Sequence, residues 1–202
     1  MGERIETEAG TGLSGKTGWQ RIARRIRVPM GFAFAAVFLW LANPGLRSMA
    51  ASVALVATGL WLRGYAAGYV KKNAELTTTG PYVYTRNPLY LGSMLIAGGF
   101  AAAAASWVVL AALVVLFAAI YVPTIQSEEA WLREHFAGFD EYARRVPRLL
   151  PRLTPARSGV ASETERGAFS WQLYRKHREY NALMGAAAIY LALALKLAVL
   201  KH

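Results

Sequence analysis

The chain has 202 residues, a formal net charge of +11 at neutral pH, and a composition that is 55% hydrophobic but only 17% charged. The length fits one domain, while the apolar excess departs from a soluble globule and favours a membrane protein. The absence of cysteine excludes disulfides, thiolate catalysis and cysteine-based metal sites, and His135, His177 and His202 lack metal-ligand spacing, so no metal is expected.

In chain order, residues 1–18 are polar and Gly-rich, and they do not read as a cleaved signal. Residues 19–28 interleave Trp19, Ile22 and Ile26 with Arg21, Arg24, Arg25 and Arg27, a pattern suited to a short basic helix at the membrane interface or, more plainly, to a positive anchor. Apolar runs over residues 28–41, 46–62, 88–105, 107–125 and 182–200 then predict five transmembrane helices. The first ends at Asn43-Pro44-Gly45, a turn that cannot continue a helix. The last is interrupted only by Lys196, which is expected to snorkel.

Charge placement orients these spans, because loops on the cytoplasmic side carry the excess of Lys and Arg. Residues 1–28, 63–87 and 126–181 together hold twenty of the 23 basic residues. That places the N-terminus inside and the C-terminus outside, and anionic headgroups account for the net charge without a nucleic-acid partner. The expected organisation is an all-α integral membrane protein of about five transmembrane helices. Residues 1–27 form a polar tail and basic interfacial segment, and 28–155 a membrane core. Residues 156–202 supply a linker, an interfacial helix and the final span, with a cytoplasmic cap region before that last helix.

Two cytoplasmic segments carry more specific features than their positions require. In the first, residues 80–92, the run 77–81 reads as a turn and Pro88 opens a helix just after Arg86 and Asn87. An exposed helix N-terminus there suits an anionic group, and Gly92 permits close approach of a ligand. The plainer reading assigns Arg86 to headgroups, Tyr90 to an aromatic belt and Gly92 to helix packing. The second segment begins with Glu128 and Glu129, which either start a helix or hold a cation or sugar hydroxyls. It continues as polar helices over 128–136 and 139–145 until Pro147, Pro151 and Pro155 break regular structure. The short turn over 101–107 makes the third and fourth spans antiparallel neighbours, which brings both segments to one membrane face.

Gly80-Pro81-Tyr82 followed by Arg86-Asn87-Pro88-Leu89-Tyr90-Leu91-Gly92 resembles the first signature of the isoprenylcysteine carboxyl methyltransferases and phospholipid methyltransferases. Glu128-Glu129, Leu132, Phe136, Tyr142 and Val146-Pro147-Arg148-Leu149-Leu150-Pro151 are similar to their second. The resemblance covers roughly residues 46–151 and leaves the terminal span outside, where packing on the bundle is its expected role. It implies an S-adenosylmethionine-dependent membrane methyltransferase whose cofactor is held by Tyr82, Arg86, Asn87, Pro88, Tyr90, Gly92, Glu128 and Glu129. Asn87 stands where these families have histidine and cannot become cationic, and the stretch from Phe136 to Val146 is one residue shorter than theirs.

Methyl transfer from a sulfonium needs alignment and exclusion of water more than covalent help. A carboxylate acceptor is already ionised, and Arg144, Arg145 or Arg148 would orient it by paired hydrogen bonds. That favours O-methylation of the isoprenylcysteine type. A phospholipid amine would need a base, for which Glu128, Glu129 or His135 are the candidates. The expected acceptor is a lipophilic small molecule or lipidated substrate at the inner leaflet of a bacterial cell membrane, with Arg63 a further possible contact. An NADPH-dependent sterol-reductase-like protein and a non-catalytic membrane scaffold are the competing readings.

Overall fold

The computed structural model describes residues 34–71, 75–156 and 168–200. The polar tail and basic segment over 1–27 and the linker over 158–167 lie outside the described residues. The chain divides into two units, Met1–Val37 and Phe38–His202. In the first, the described residues 34–37 are helical. The second unit holds everything that follows.

Every regular element among the described residues is helical. We label as α1 the helical stretch 34–41, followed by α2 (Leu46–Ala67), a 3-10 turn at Gly80–Val83, α3 (Pro88–Ala104), α4 (Trp107–His135), α5 (Phe139–Arg145), α6 (Trp171–Lys176) and α7 (Tyr180–Leu200). Three of them, α2, α4 and α7, are long and apolar enough to cross a membrane, while α3 is apolar but has only 17 residues. The apolar helices and their exposed leucine, valine and tryptophan side chains mark an integral membrane protein.

Two helices run further than their apolar stretches. The second span, expected to end at residue 62, continues to Ala67, because nothing in Arg63-Gly64-Tyr65 breaks it and Tyr65 stacks on Trp61 at 5.4 Å. The fourth span and the polar helix expected to follow it are one 29-residue helix that passes through Pro123. At a rise of 1.5 Å per residue it is about 43 Å long, against about 30 Å of bilayer core, so its last turns stand beyond the hydrocarbon. Glu128 and Glu129 therefore sit within α4 rather than at a helix start.

Small residues set the packing of α2 on α3, the most extensive helix contact. A Cβ on Gly59 would lie 2.6 Å from the Gly92 carbonyl oxygen, one on Gly92 would lie 2.9 Å from the Gly59 carbonyl oxygen, and one on Gly99 would lie 2.5 Å from Val56. Backbones this close are what small side chains permit in a membrane, where lipid tails compete for every apolar face. The hydrophobic core, with Phe38, Val56, Phe100, Val109 and Leu193 buried, lies at the far end of this pair.

Alpha-7 closes that end. Tyr190 and Ser52 share a hydrogen bond of 2.7 Å. Lys196 was expected to snorkel; instead its Nζ donates to the carbonyl oxygens of Leu39 at 2.6 Å, Trp40 at 3.1 Å and Ala42 at 2.5 Å. Those are the open carbonyls at the end of α1, where a cation is favoured.

Candidate functional site

The α3–α4 hairpin turns through Ala105, whose φ of 47° is left-handed, and Ser106, whose hydroxyl accepts from the Val109 N–H. This returns α4 beside α3. The stretch before α3 begins at Gly80, with φ of 61°, where an added Cβ would strike the Tyr69 ring at 2.6 Å. Pro81 follows at the second position of the 3-10 turn.

A strap formed by residues 146–156 is laced to this stretch by its backbone. The Arg86 N–H donates to Pro147 O at 2.9 Å, Arg152 N–H to Tyr84 O at 2.9 Å and Ala156 N–H to Val83 O at 3.1 Å. The buried Thr85 hydroxyl adds a bond to Leu149 O at 3.0 Å, and the Tyr142 hydroxyl donates to Tyr82 O at 2.8 Å. Burial pushes the Tyr82 and Tyr142 hydroxyls well above the usual phenol range; for Tyr142 the nearby Arg86 cation acts in the opposite direction.

The two motif segments meet on Glu129, whose carboxylate is 4% exposed. Arg148 reaches its Oε2 through Nη2 at 2.8 Å and Nε at 3.0 Å. Asn87 Nδ2 reaches Oε1 at 3.3 Å and also donates to Arg148 O at 2.9 Å. Arg86 Nε lies 3.3 Å from the same Oε1, but its N–H is not aligned to make the bond, so a buried charged donor is left without a partner. The guanidinium rests 5.9 Å from the Phe139 ring centre. Uncompensated burial of such a donor costs about 1 to 3 kcal/mol, a penalty that a polar ligand would relieve.

Beside this cluster is a cavity of about 570 Å³, within the range of small-molecule sites. Of the cofactor residues expected from sequence, Tyr82, Arg86, Asn87, Pro88, Tyr90, Glu128 and Glu129 line it. The Tyr90 hydroxyl lies near Glu128, and its ring meets Tyr121 edge-on at 5.3 Å. Glu128 is exposed and has no ion pair among the described residues.

Other expectations are placed differently. The N-terminus of α3, expected to be exposed, is covered by the strap, with Asn87 and Pro88 both buried. Gly92 admits α2 rather than the cavity, since its Cβ would meet Arg63 Cγ at 2.6 Å. Arg144 and Arg145 lie on the exposed last turn of α5, where Arg145 pairs with Glu141, and neither lines the cavity. Arg148 is committed to Glu129. His135 stacks on Trp131 at 4.2 Å, outside the cavity.

Residues less visible in the sequence also line the cavity. Arg63 Nε and Nη2 bind both oxygens of Glu179 at 3.0 and 2.9 Å, and Ser93 completes the group. The segment that delivers Glu179 lies along the end of α2, through Ser170 N–H to Gly68 O at 2.9 Å and His177 Nδ1 to Ala67 O at 3.1 Å. Glu179 is the sole acid of residues 169–202, which was the available signal.

Residues 45–138 match the family model described as phospholipid methyltransferase, in agreement with the families that the motifs of this part of the chain resemble. The chain is 39% identical over 114 residues to the nickel-cobalt-cadmium resistance protein NccN of Alcaligenes xylosoxydans xylosoxydans, covering 56% of this chain and 53% of that protein. It is 41% identical over 103 residues to the cobalt-zinc-cadmium resistance protein CzcN of Cupriavidus metallidurans, covering 50% and 47%. The chain thus spans about half the length of these curated relatives. No solved structure matches it significantly.

Proposed function

We propose that the protein transfers a methyl group from S-adenosylmethionine to a lipophilic acceptor at the inner leaflet. The observation that carries this reading is the convergence of both motif segments on a cavity whose wall holds the unpartnered Arg86 donor. The donor set suits the cofactor: Arg86 for its carboxylate, Glu128 for its ammonium or ribose hydroxyls, and Tyr82, Tyr90 and Phe139 as apolar walls. Asn87 and Arg148 hold Glu129, and Glu129 holds Arg86 in place. When bound, the cofactor supplies an electrophilic methyl group, so the chain has to align the acceptor and exclude water.

For the acceptor, a carboxylate of the isoprenylcysteine type is the first reading, because it needs no base. Arg63, held by Glu179 and Ser93, is the arginine that lines the cavity away from Glu129, and its remaining guanidinium donors are placed to take the orienting role expected of Arg144, Arg145 or Arg148. A phospholipid amine is the second reading, favoured by the family description of residues 45–138, with Glu128 the acid placed to accept a proton. The two relatives are named for metal resistance, which we take as the cellular setting of the reaction. Among the described residues no three His, Asp or Glu side chains gather to hold an ion.

The test is a melting-temperature screen in detergent with S-adenosylmethionine, S-adenosylhomocysteine and NADPH. A ligand at 100 times its Kd stabilises by about 2.7 kcal/mol. Stabilisation by the two sulfur cofactors is expected; stabilisation by NADPH alone would establish the reductase reading instead.

A further inference from the structure

The strap presents a surface that neither the helix bundle nor the cavity uses. Leu150 is 77% exposed and Leu153 fully exposed, and both lie outside any helix, so a transmembrane position does not account for them. Leu149, between them and Arg148, is partly covered, so the outward direction is particular to these two. The backbone bonds to residues 83–86 and the fixed φ of Pro147, Pro151 and Pro155 hold the segment in place, which keeps the leucines from folding inward. Arg144, Arg145, Arg148 and Arg152 flank them in the sequence, with no acidic residue over 144–156.

The depth of the strap follows from α4. Its apolar run ends near Ile125, and Glu129 is one turn further, about 6 Å along the axis. Arg148 lies 2.8 Å from Glu129. The strap therefore runs at the level where hydrocarbon gives way to headgroups. Tyr84, exposed and bonded through its carbonyl to the Arg152 N–H, adds an aromatic ring suited to that layer.

We propose that residues 144–153 form a docking surface for anionic lipid beside the cavity, with Leu150 and Leu153 inserted at the acyl–headgroup boundary and the arginines facing lipid phosphates. Arg148 remains half exposed while bound to Glu129, and Arg152 spends one donor on the Arg145 carbonyl, so each guanidinium keeps further donors for phosphate. Apolar insertion and headgroup attraction reinforce each other at such a surface. This proposal does not depend on the methyltransferase reading.

Because the chain has no cysteine, Leu150→Cys, Leu153→Cys and a control, Ala137→Cys, can each carry one polarity-sensitive dye. Ala137 is exposed and follows the end of α4, about 15 Å past Ile125 along the axis. The full chain is placed in phosphatidylcholine bilayers with and without phosphatidylserine, containing nitroxide-labelled lipid. The dyes at 150 and 153 are expected to shift to the blue and lose most of their emission to the nitroxide when serine lipid is present, while the dye at 137 keeps its emission. Arg144→Gln, which breaks no bond of the strap, should restore part of that emission without moving the melting temperature, and adding Arg152→Gln should restore more. Quenching at 150 and 153 no stronger than at 137 would overturn the proposal. Self-quenching between labelled copies would assign the surface to copy–copy contact, and quenching indifferent to serine lipid and to the arginines would remove its anionic partner.

Discussion

At the residue scale, the adjacent acids 128 and 129 have separate tasks. Glu129 is buried between two arginines, and removing its charge leaves Arg86 without its counter-ion. Breaking a buried pair costs about 3 to 5 kcal/mol, so Glu129→Gln should lower the melting temperature sharply and weaken cofactor binding with it. Glu128 is exposed at the cavity, and Glu128→Gln should leave the melting temperature in place. It should weaken S-adenosylmethionine about tenfold or more, the equivalent of one charged hydrogen bond, as read by calorimetric titration. The sequence showed the acid pair and its partner segment but not this division. A helix running straight through the pair turns one acid inward and leaves its neighbour outside, and the helix's length was hidden by the polar switch after Ile125.

Tyr82 and Tyr142 give the site a pH signature. Their hydroxyls titrate higher in the folded chain than in the unfolded one, chiefly because burial disfavours the phenolate. The folded state then holds protons that the unfolded state releases, so stability is constant below about pH 10 and declines as pH rises beyond it. Melting curves between pH 8 and pH 11, taken as approximate bounds around that phenol value, should show the decline. Tyr142→Phe should reduce its slope while lowering stability at neutral pH by about 1 kcal/mol through the lost bond to Tyr82 O.

At the element scale, α2 and α3 form the rigid pair from which Arg63 and the motif residues project. Gly92→Ala or Gly99→Ala must push backbones apart, and overpacking of this kind costs about 1 to 3 kcal/mol. A Cβ on Gly98 meets nothing within 4 Å, so Gly98→Ala should be neutral or raise stability by up to about 1 kcal/mol. Thermal unfolding of the three variants in one detergent distinguishes a packing seam from a general demand for glycine. Apolar runs were enough to locate these helices, and Pro88 and the Asn43-Pro44-Gly45 turn to bound them. Which face each helix turns inward was not legible, because α2, α3 and α7 are apolar around most of their circumference and periodicity carries little signal.

At the scale of the whole molecule, the charge asymmetry gives a topology that can be measured directly. Tags at residues 1 and 202 should be accessible from opposite sides of the membrane, with the strap and α5 on the cytoplasmic side. Labelling of both ends from one side would require an even number of crossings. The expected five spans rest on α1 and on the 17-residue α3 in addition to the three longer helices. For the terminal span, packing on the bundle was the expectation favoured over covering a substrate groove, and in space α7 packs on α2. Glu179 just ahead of it was not legible, since a lone acid in a basic stretch reads as charge balance without the fold that brings Arg63 to it.

The bond from Lys196 to the carbonyls of α1 joins parts of the chain 157 positions apart. During synthesis, α1 enters the membrane long before the residue that satisfies its C-terminal end exists. Its carbonyls must be held by water or by the insertion machinery until α7 arrives, and only then does the bundle shut. The order of biogenesis is thereby written into a single ammonium group: early helices dwell in a provisional arrangement, and the latest one to insert acts as the clasp. Lys196→Met should accordingly leave membrane insertion intact while slowing acquisition of protease resistance in a pulse-chase experiment.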